Sequence, residues 1–137
     1  MTYIRPAVST VCVGAASSMA ALLLVGGAKG KRFALPHSSI MIHQPLGGTQ
    51  GQASDILIYA NQIQRVREQV NEIYRRHVND ALGEERFDKA MVAELMERDK
   101  YLTADEAREM GIVDEILVRR EEKATEGEGK EGKEGGS

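Results

Sequence analysis

The 137-residue sequence predicts an α/β domain, because buried strands and helical segments follow one another along it. An unbroken apolar run at residues 11–16 is typical of a buried strand, and the small and apolar residues at 19–24 are typical of a helix. Residues 39–45 predict a second, largely buried strand. Pro45 ends that strand's ability to pair, since proline has no N–H to donate to a sheet.

The long middle segment predicts one continuous helix over residues 56–78. Apolar positions recur there at alternating intervals of three and four, which is a stripe sustained for three heptads: Ile56, Tyr59, Ile63, Val66, Val70, Ile73 and His77. Such a stripe packs either on its own domain or on a second chain. We expect the second arrangement, with burial only on assembly, because the remaining domain is too small to cover the helix.

Shorter elements complete the domain. Residues 88–98 predict a helix whose inward side chains are Ala90, Met91, Leu95 and Met96. Thr103 and Glu106 have the spacing of a capping box for a further short helix, which Gly111 ends. The closing strand is predicted to begin at residues 112–113.

Composition narrows the possible functions. Residues 121–137 contain six Glu, three Lys and five Gly without a bulky apolar side chain, so we expect a disordered acidic tail after a single domain at 1–120. That tail accounts for the whole net charge of −3, and a formally neutral domain does not favour nucleic acid as a partner. No apolar run has the length of a membrane span. The lone Cys12 and three scattered histidines show no metal-ligand spacing.

Ser18 is the first candidate catalytic residue, because it stands between the first predicted strand and the helix that follows. A hydroxyl on such a turn projects clear of the sheet, beside the unpaired N–H groups of a helix start. The competing interpretation is an N-cap, in which the same hydroxyl only satisfies a backbone N–H. Ser17 is the rival nucleophile.

His43 stands at the exit of the second predicted strand, where a sheet of this class opens its binding crevice. A histidine base, a hydroxyl and a downstream carboxylate can together perform nucleophilic catalysis. His37, in a turn after a proline, and His77, among charged residues, are most simply surface histidines.

With these residues in place, the sequence resembles the family of the Clp protease proteolytic subunit, ClpP. The likeness covers about residues 1–118 and is carried by motifs in the right order: GAASSMA at 14–20, GGAKGKRFALP at 26–36, MIHQPLGG at 41–48, GQASD at 51–55, MERDKYLTADEA at 96–107 and GIVD at 111–114. The resemblance implies the crotonase-like superhelix of repeated strand-strand-helix units.

The resemblance also implies serine endopeptidase chemistry. Ser18 matches the family's nucleophile, His43 its general base, 25 residues further on, and Asp99 the acid that orients the imidazole. Met19 would contribute a backbone N–H to the oxyanion hole. No cofactor is implied, because an AAA+ unfoldase partner of the ClpX type uses the ATP. The substrates would be unfolded polypeptides.

Assembly and compartment follow from the same resemblance. The helix at 56–78 matches the family's handle, which joins two stacked seven-membered rings of identical chains. The pattern at 71–77 and 96–101, with an added acidic tail, looks closer to mitochondrial members than to bacterial ones. We therefore expect the mitochondrial matrix, with the bacterial cytoplasm as the alternative.

Two departures from the family pattern leave alternatives open. The resemblance implies that the N-terminal part of the family's domain, with its first strands and a second oxyanion-hole N–H, is missing before Met1, and we therefore expect little or no peptidase activity from this chain alone. The interval from His77 to Asp99 is longer than usual by about seven residues, or about two helical turns, which we assign to residues 80–88. The alternatives are a non-catalytic chain of the same family and, more distantly, a crotonase-type acyl-CoA enzyme.

Overall fold

The computed structural model describes residues 1–119. The tail predicted at 121–137 lies outside the described residues. Ten elements follow in chain order within the described part: β1 (Thr10–Cys12), β2 (Ala15–Ser17), α1 (Met19–Val25), β3 (Arg32–Ala34), β4 (Ser39–Ile42), α2 (Ala53–Leu82), α3 (Lys89–Leu95), β5 (Lys100–Thr103), α4 (Ala104–Glu109) and β6 (Glu115–Ile116).

Two three-stranded sheets organise these elements. β1, β3 and β6 form a parallel sheet in that order. In the second sheet β4 lies between β2, to which it is parallel, and β5, to which it is antiparallel. The chain thus repeats a strand-strand-helix unit, first as β1-β2-α1 and then as β3-β4-α2. The α/β class predicted from the sequence is confirmed.

The apolar run at 11–16 is two strands rather than one. β1 ends at Cys12, and the chain passes through Val13 and Gly14 before β2 begins in the other sheet. Cys12 and Ala16 both point into the core, whereas Val13 between them is exposed. An apolar run reveals burial but not a change of sheet, so this boundary was missed.

A buried ion pair joins β3 of the first sheet to the residue that precedes β6. The guanidinium of Arg32 on β3 donates from Nε and Nη2 to the carboxylate of Asp114, at 2.9 and 2.7 Å. Burial would raise the pKa of Asp114, but the hydrogen bonds and charge of Arg32 hold it below its ordinary value near 3.8. Removing either partner would leave the other charge buried and unpaired.

The long helix α2 contains the predicted span 56–78 and extends beyond it at both ends. It ends where Gly83 adopts φ 73°, a left-handed conformation that glycine takes without strain. Its first turns are exposed along every face, including Ile56 and Tyr59 of the predicted stripe. No helix in the described residues is both long and apolar enough to cross a membrane.

The second half of α2 corrects the assembly expectation. Val70, Tyr74 and Val78 are buried within this chain, against α1 and α3 among other elements. The inward face therefore passes through Tyr74 and Val78 instead of Ile73 and His77. A straight helix packed on a domain follows a period of 3.6, which drifts away from a strict heptad stripe within a few turns.

The shorter elements differ from expectation in their boundaries. Helix α3 ends at Leu95, and its buried residue is Val92, with Met96 buried immediately after it, whereas Ala90 and Met91 face outward. The Asp88 carboxylate accepts the Met91 N–H and so fixes where α3 starts. The capping box of Thr103 and Glu106 is confirmed. The closing strand begins at Glu115, later than predicted, because residues 112–113 are buried core instead.

Candidate active site

Three segment ends meet at one edge of the second sheet. Because β2 and β4 are parallel, the residues that follow them, Ser18 and His43, lie at the same edge. β5 is antiparallel to β4, and Lys100 is paired with Ile42, so the residue that precedes β5 returns to that edge as well. That residue is Asp99. The sheet topology alone therefore brings the three predicted site residues together.

Ser18 has an unusual backbone for a helix-preceding residue. Its φ of 56° and ψ of −117° match the first central position of a type II′ turn, which favours glycine. Its N–H donates to the Met41 carbonyl at 2.9 Å, and its own carbonyl accepts the Leu22 N–H at 3.2 Å, which starts α1. The hydroxyl makes no capping hydrogen bond. The N-cap interpretation of this side chain is wrong.

His43 connects the other two side chains. Its Nε2 lies 2.8 Å from Ser18 Oγ, and its Nδ1 lies 3.1 Å from an oxygen of Asp99. With the ring proton on Nδ1, the imidazole donates to the carboxylate and accepts from the hydroxyl. The His43 side chain is 10% exposed and that of Asp99 is 57% exposed. The imidazole is thus sheltered, whereas the carboxylate faces solvent.

Contacts that the sequence did not predict hold the segment before Asp99. The backbone N–H of Gln44 donates to the Met96 carbonyl at 2.6 Å, and its side-chain amide donates to the Glu97 carbonyl at 2.8 Å. From α2, Arg67 reaches the Glu97 carboxylate at 2.7 Å. The one feature of the sequence that could have indicated these contacts is the position of Gln44, next to His43.

The other candidates lie apart from this group. Ser17 is the last residue of β2, and the structure gives its side chain no bond to His43. His37 is exposed in a turn, as expected. His77 is half-buried instead of lying on the surface, and burial lowers its pKa, with further lowering by Arg32 and Arg76. Within residues 1–119 no three His, Cys, Asp or Glu side chains are grouped as metal ligands.

A comparison with protein families bears on the identity of the chain. The family model described as Clp protease matches residues 1–120, which is most of the sequence. The chain belongs to the Clp protease family. The α/β architecture with two small sheets is consistent with this membership, and a ClpP-like protease is the function that it supports. The catalytic roles of Ser18, His43, Asp99 and Met19 remain predictions.

Proposed function

We propose that this Clp protease family chain is a serine endopeptidase subunit that uses Ser18, His43 and Asp99. The observation that supports the proposal is the continuous hydrogen-bonded path from Ser18 Oγ through the imidazole to the Asp99 carboxylate. The same side chains would have no reason to be adjacent in an acyl-CoA enzyme that relies on oxyanion N–H groups and carboxylates. Their proximity disfavours that alternative.

The first half of the proposed reaction is attack on a peptide carbonyl. His43 Nε2 accepts the Ser18 proton as Oγ bonds to the carbonyl carbon, and the Asp99 carboxylate stabilises the imidazolium that results. Met19, the first residue of α1, has an N–H with no acceptor inside its helix. In the proposal that N–H donates to the carbonyl oxygen as negative charge develops on it.

The second half releases both products. The imidazolium gives its proton to the leaving amine, so the peptide bond breaks and Ser18 keeps the acyl group as an ester. His43 then takes a proton from water, which attacks the ester carbonyl. The bond between the acyl group and Oγ breaks, His43 returns the proton to Ser18 Oγ, and the carboxylic acid product leaves. Every proton in this cycle moves through His43, and the proposal requires no cofactor of the chain's own.

The proposal extends to partners and compartment. Identical chains would assemble into paired seven-membered rings, an ATP-driven AAA+ unfoldase would deliver unfolded polypeptides, and the site of action would be the mitochondrial matrix. The exposed first turns of α2 support the assembly part, because Ile56, Leu57, Ile58 and Tyr59 are large apolar side chains open to solvent. A non-catalytic family subunit would assemble in the same way without chemistry at Ser18.

The test of the chemistry at Ser18 is labelling with a fluorophosphonate, which bonds covalently to an activated serine and does not require peptide turnover. We expect the purified 137-residue chain to gain one adduct by intact mass, located at Ser18 by peptide mapping. His43→Ala should slow the labelling strongly, because it removes the base that activates the hydroxyl. Ser17→Ala is the matched control and should label at the original rate. A folded chain that stays unlabelled at Ser18 would support the non-catalytic alternative.

The test of assembly must use the exposed half of α2. Val70 is unsuitable, because it is buried within the chain and Val70→Asp would destabilise the domain itself. Ile56→Asp places a charge on the exposed part of the stripe instead and should shift the sedimentation coefficient toward smaller species. Gln69→Asp, at an exposed position of the same helix, is the control. Equal particle sizes for Ile56→Asp and the unmodified chain would remove Ile56 from the interface.

A further inference from the structure

We infer that Gln44 is a positioning residue, which holds Asp99 within hydrogen-bonding distance of His43. The inference rests on the proposed function, since it assigns Asp99 a role in orienting the imidazole. Within residues 1–119, Gln44 itself makes no hydrogen bond to Ser18 or to the Asp99 carboxylate. It would act through the backbone of the segment that leads to Asp99.

The need for such a residue follows from how Asp99 is held. More than half of its side chain is exposed, and within residues 1–119 its carboxylate has one side-chain hydrogen bond, the 3.1 Å contact with His43. An exposed carboxylate with a single partner is free to rotate into solvent. Its position must therefore be set by the backbone on either side of it.

After Asp99 the backbone is fixed by the sheet, because Lys100 is paired with Ile42 at the end of β4. Before Asp99, the chain has left α3 at Leu95 and belongs to no strand. The Met96 and Glu97 N–H groups bond back to carbonyls of α3, which ties this segment to the helix but not to the sheet. Gln44 supplies the restraint toward the end of β4 with two hydrogen bonds, from its backbone N–H to the Met96 carbonyl and from its side-chain amide to the Glu97 carbonyl. Both acceptors lie within three residues of Asp99.

The place of Gln44 in the chain makes this restraint specific. Gln44 directly follows His43, so two adjacent residues carry the imidazole and the hydrogen bonds to the segment that leads to Asp99. A shift of the Asp99 segment relative to His43 would have to break the Gln44 bonds. Arg67 adds a weaker restraint from α2 through the Glu97 carboxylate, a solvent-exposed ion pair of the kind that contributes little.

The experiment compares Gln44→Met with the unmodified chain in a double-mutant cycle with Asp99→Asn. Methionine has nearly the length of glutamine but cannot donate to the Glu97 carbonyl. We expect the rate of fluorophosphonate labelling at Ser18 to fall by about 10- to 100-fold, the scale of a misplacement near 1 Å. In the Asp99→Asn background the same change should cost less than about twofold, because the residue through which Gln44 acts is already disabled.

A spectroscopic measurement separates this inference from the proposed function. In the full chain, the proton on His43 Nδ1 should give a downfield NMR signal when it is hydrogen-bonded to Asp99. That signal should be lost or broadened in Gln44→Met. It should be retained in Gln69→Met, which changes an exposed residue that takes no part in the Gln44 hydrogen bonds. If Ser18 never labels, the proposed function fails, yet this signal still decides whether Gln44 holds Asp99.

Two results would overturn the inference. One is an unchanged Nδ1–H signal in Gln44→Met. The other is a loss of labelling rate that is equally large with and without Asp99→Asn, which would mean that Gln44 acts on general stability. Gln44→Glu, which keeps the size and polarity of the side chain but donates no hydrogen bond at neutral pH, repeats both measurements if the methionine variant does not fold.

Discussion

Two helices in residues 1–119 begin after a hydroxyl residue, and the two hydroxyls make different hydrogen bonds. Thr103, before α4, has an extended backbone with φ −71° and accepts the Glu106 N–H at 3.2 Å. Ser18, before α1, has φ 56° and no capping bond, and its hydroxyl lies 2.8 Å from His43. A hydroxyl residue before a helix is thus a cap at one helix and a candidate nucleophile at the other.

The backbone decides between these outcomes. An extended residue aims its side chain back at the first N–H groups of the helix, which is the geometry of an N-cap. The turn at Ser18 aims the hydroxyl away from α1, and α1 has no acidic residue in its first turn to replace the lost cap. A backbone of this kind costs about 1–3 kcal/mol and persists where surrounding structure imposes it. At Ser18 the β2–β4 pairing and the Met41 hydrogen bond provide that structure.

The largest expected difference between the two hydroxyls is in activity. In a version of the chain extended by the family's N-terminal part, Ser18→Ala should reduce peptide hydrolysis by about 10⁶-fold, the scale found when a catalytic serine is removed from a triad. The free energy of unfolding should change by less than about 0.5 kcal/mol, because no capping bond is lost. The measurements are hydrolysis of a fluorogenic peptide and urea unfolding of the same preparation.

Ser17→Ala is the control for this prediction, since it removes a neighbouring hydroxyl that is not bonded to His43. It should leave hydrolysis unchanged. A marked loss of stability in Ser18→Ala with hydrolysis preserved would reverse the comparison and make Ser18 a structural residue after all.

The next effect is the backbone strain at Ser18. Ser18→Gly should raise the free energy of unfolding by about 1 kcal/mol relative to Ser18→Ala, because glycine adopts φ 56° with little strain while its greater freedom in the unfolded chain offsets part of the gain. Urea unfolding of the two variants measures the difference. If alanine is equally stable or more stable than glycine, the turn at this position is not strained.

How far the sequence could predict the site depends on which contact is considered. The proximity of Ser18 and His43 was within reach, because each follows a strand of one parallel pair and the carboxyl ends of such strands meet. The contact between Asp99 and His43 was harder to predict. Asp99 arrives only because β5 runs antiparallel to β4 in a register that pairs Ile42 with Lys100, and no local pattern encodes a register between strands so far apart.

The fold shows the same limit. The helix α2 was predicted from its periodicity, but the residues on its buried face were wrong beyond Val70, since the heptad stripe and the core that it meets have different periods. The break between β1 and β2 was missed because both sides of it are apolar. In both cases local composition indicated burial, whereas the neighbour that causes the burial is set by tertiary packing.

A smaller effect is expected at the other hydroxyl. Thr103→Ala should lower the free energy of unfolding by about 1 kcal/mol, because the Glu106 N–H at the start of α4 loses its acceptor. Peptide hydrolysis should not change. Thr103→Ser is the conservative control and should keep nearly all of the stability. A loss of hydrolysis in Thr103→Ala at unchanged stability would contradict the assignment of this hydroxyl to capping.

The smallest effect is a dependence on pH that only the capped helix should show. Hydrogen bonds from the Thr103 backbone and hydroxyl lower the pKa of Glu106 below its ordinary value near 4.5. A carboxyl with a lowered folded-state pKa contributes stability above the unfolded-state value, and that stability is lost as pH falls through the folded-state pKa. The stability difference between the unmodified chain and Thr103→Ala should therefore be smaller in acid than at neutral pH.

The stability difference between Ser18→Gly and Ser18→Ala arises from backbone strain and should be the same at both pH values. Urea unfolding of all four proteins at the two pH values makes the comparison. A difference for Thr103 that does not vary with pH would show that the Thr103 hydroxyl does not stabilise the Glu106 carboxylate.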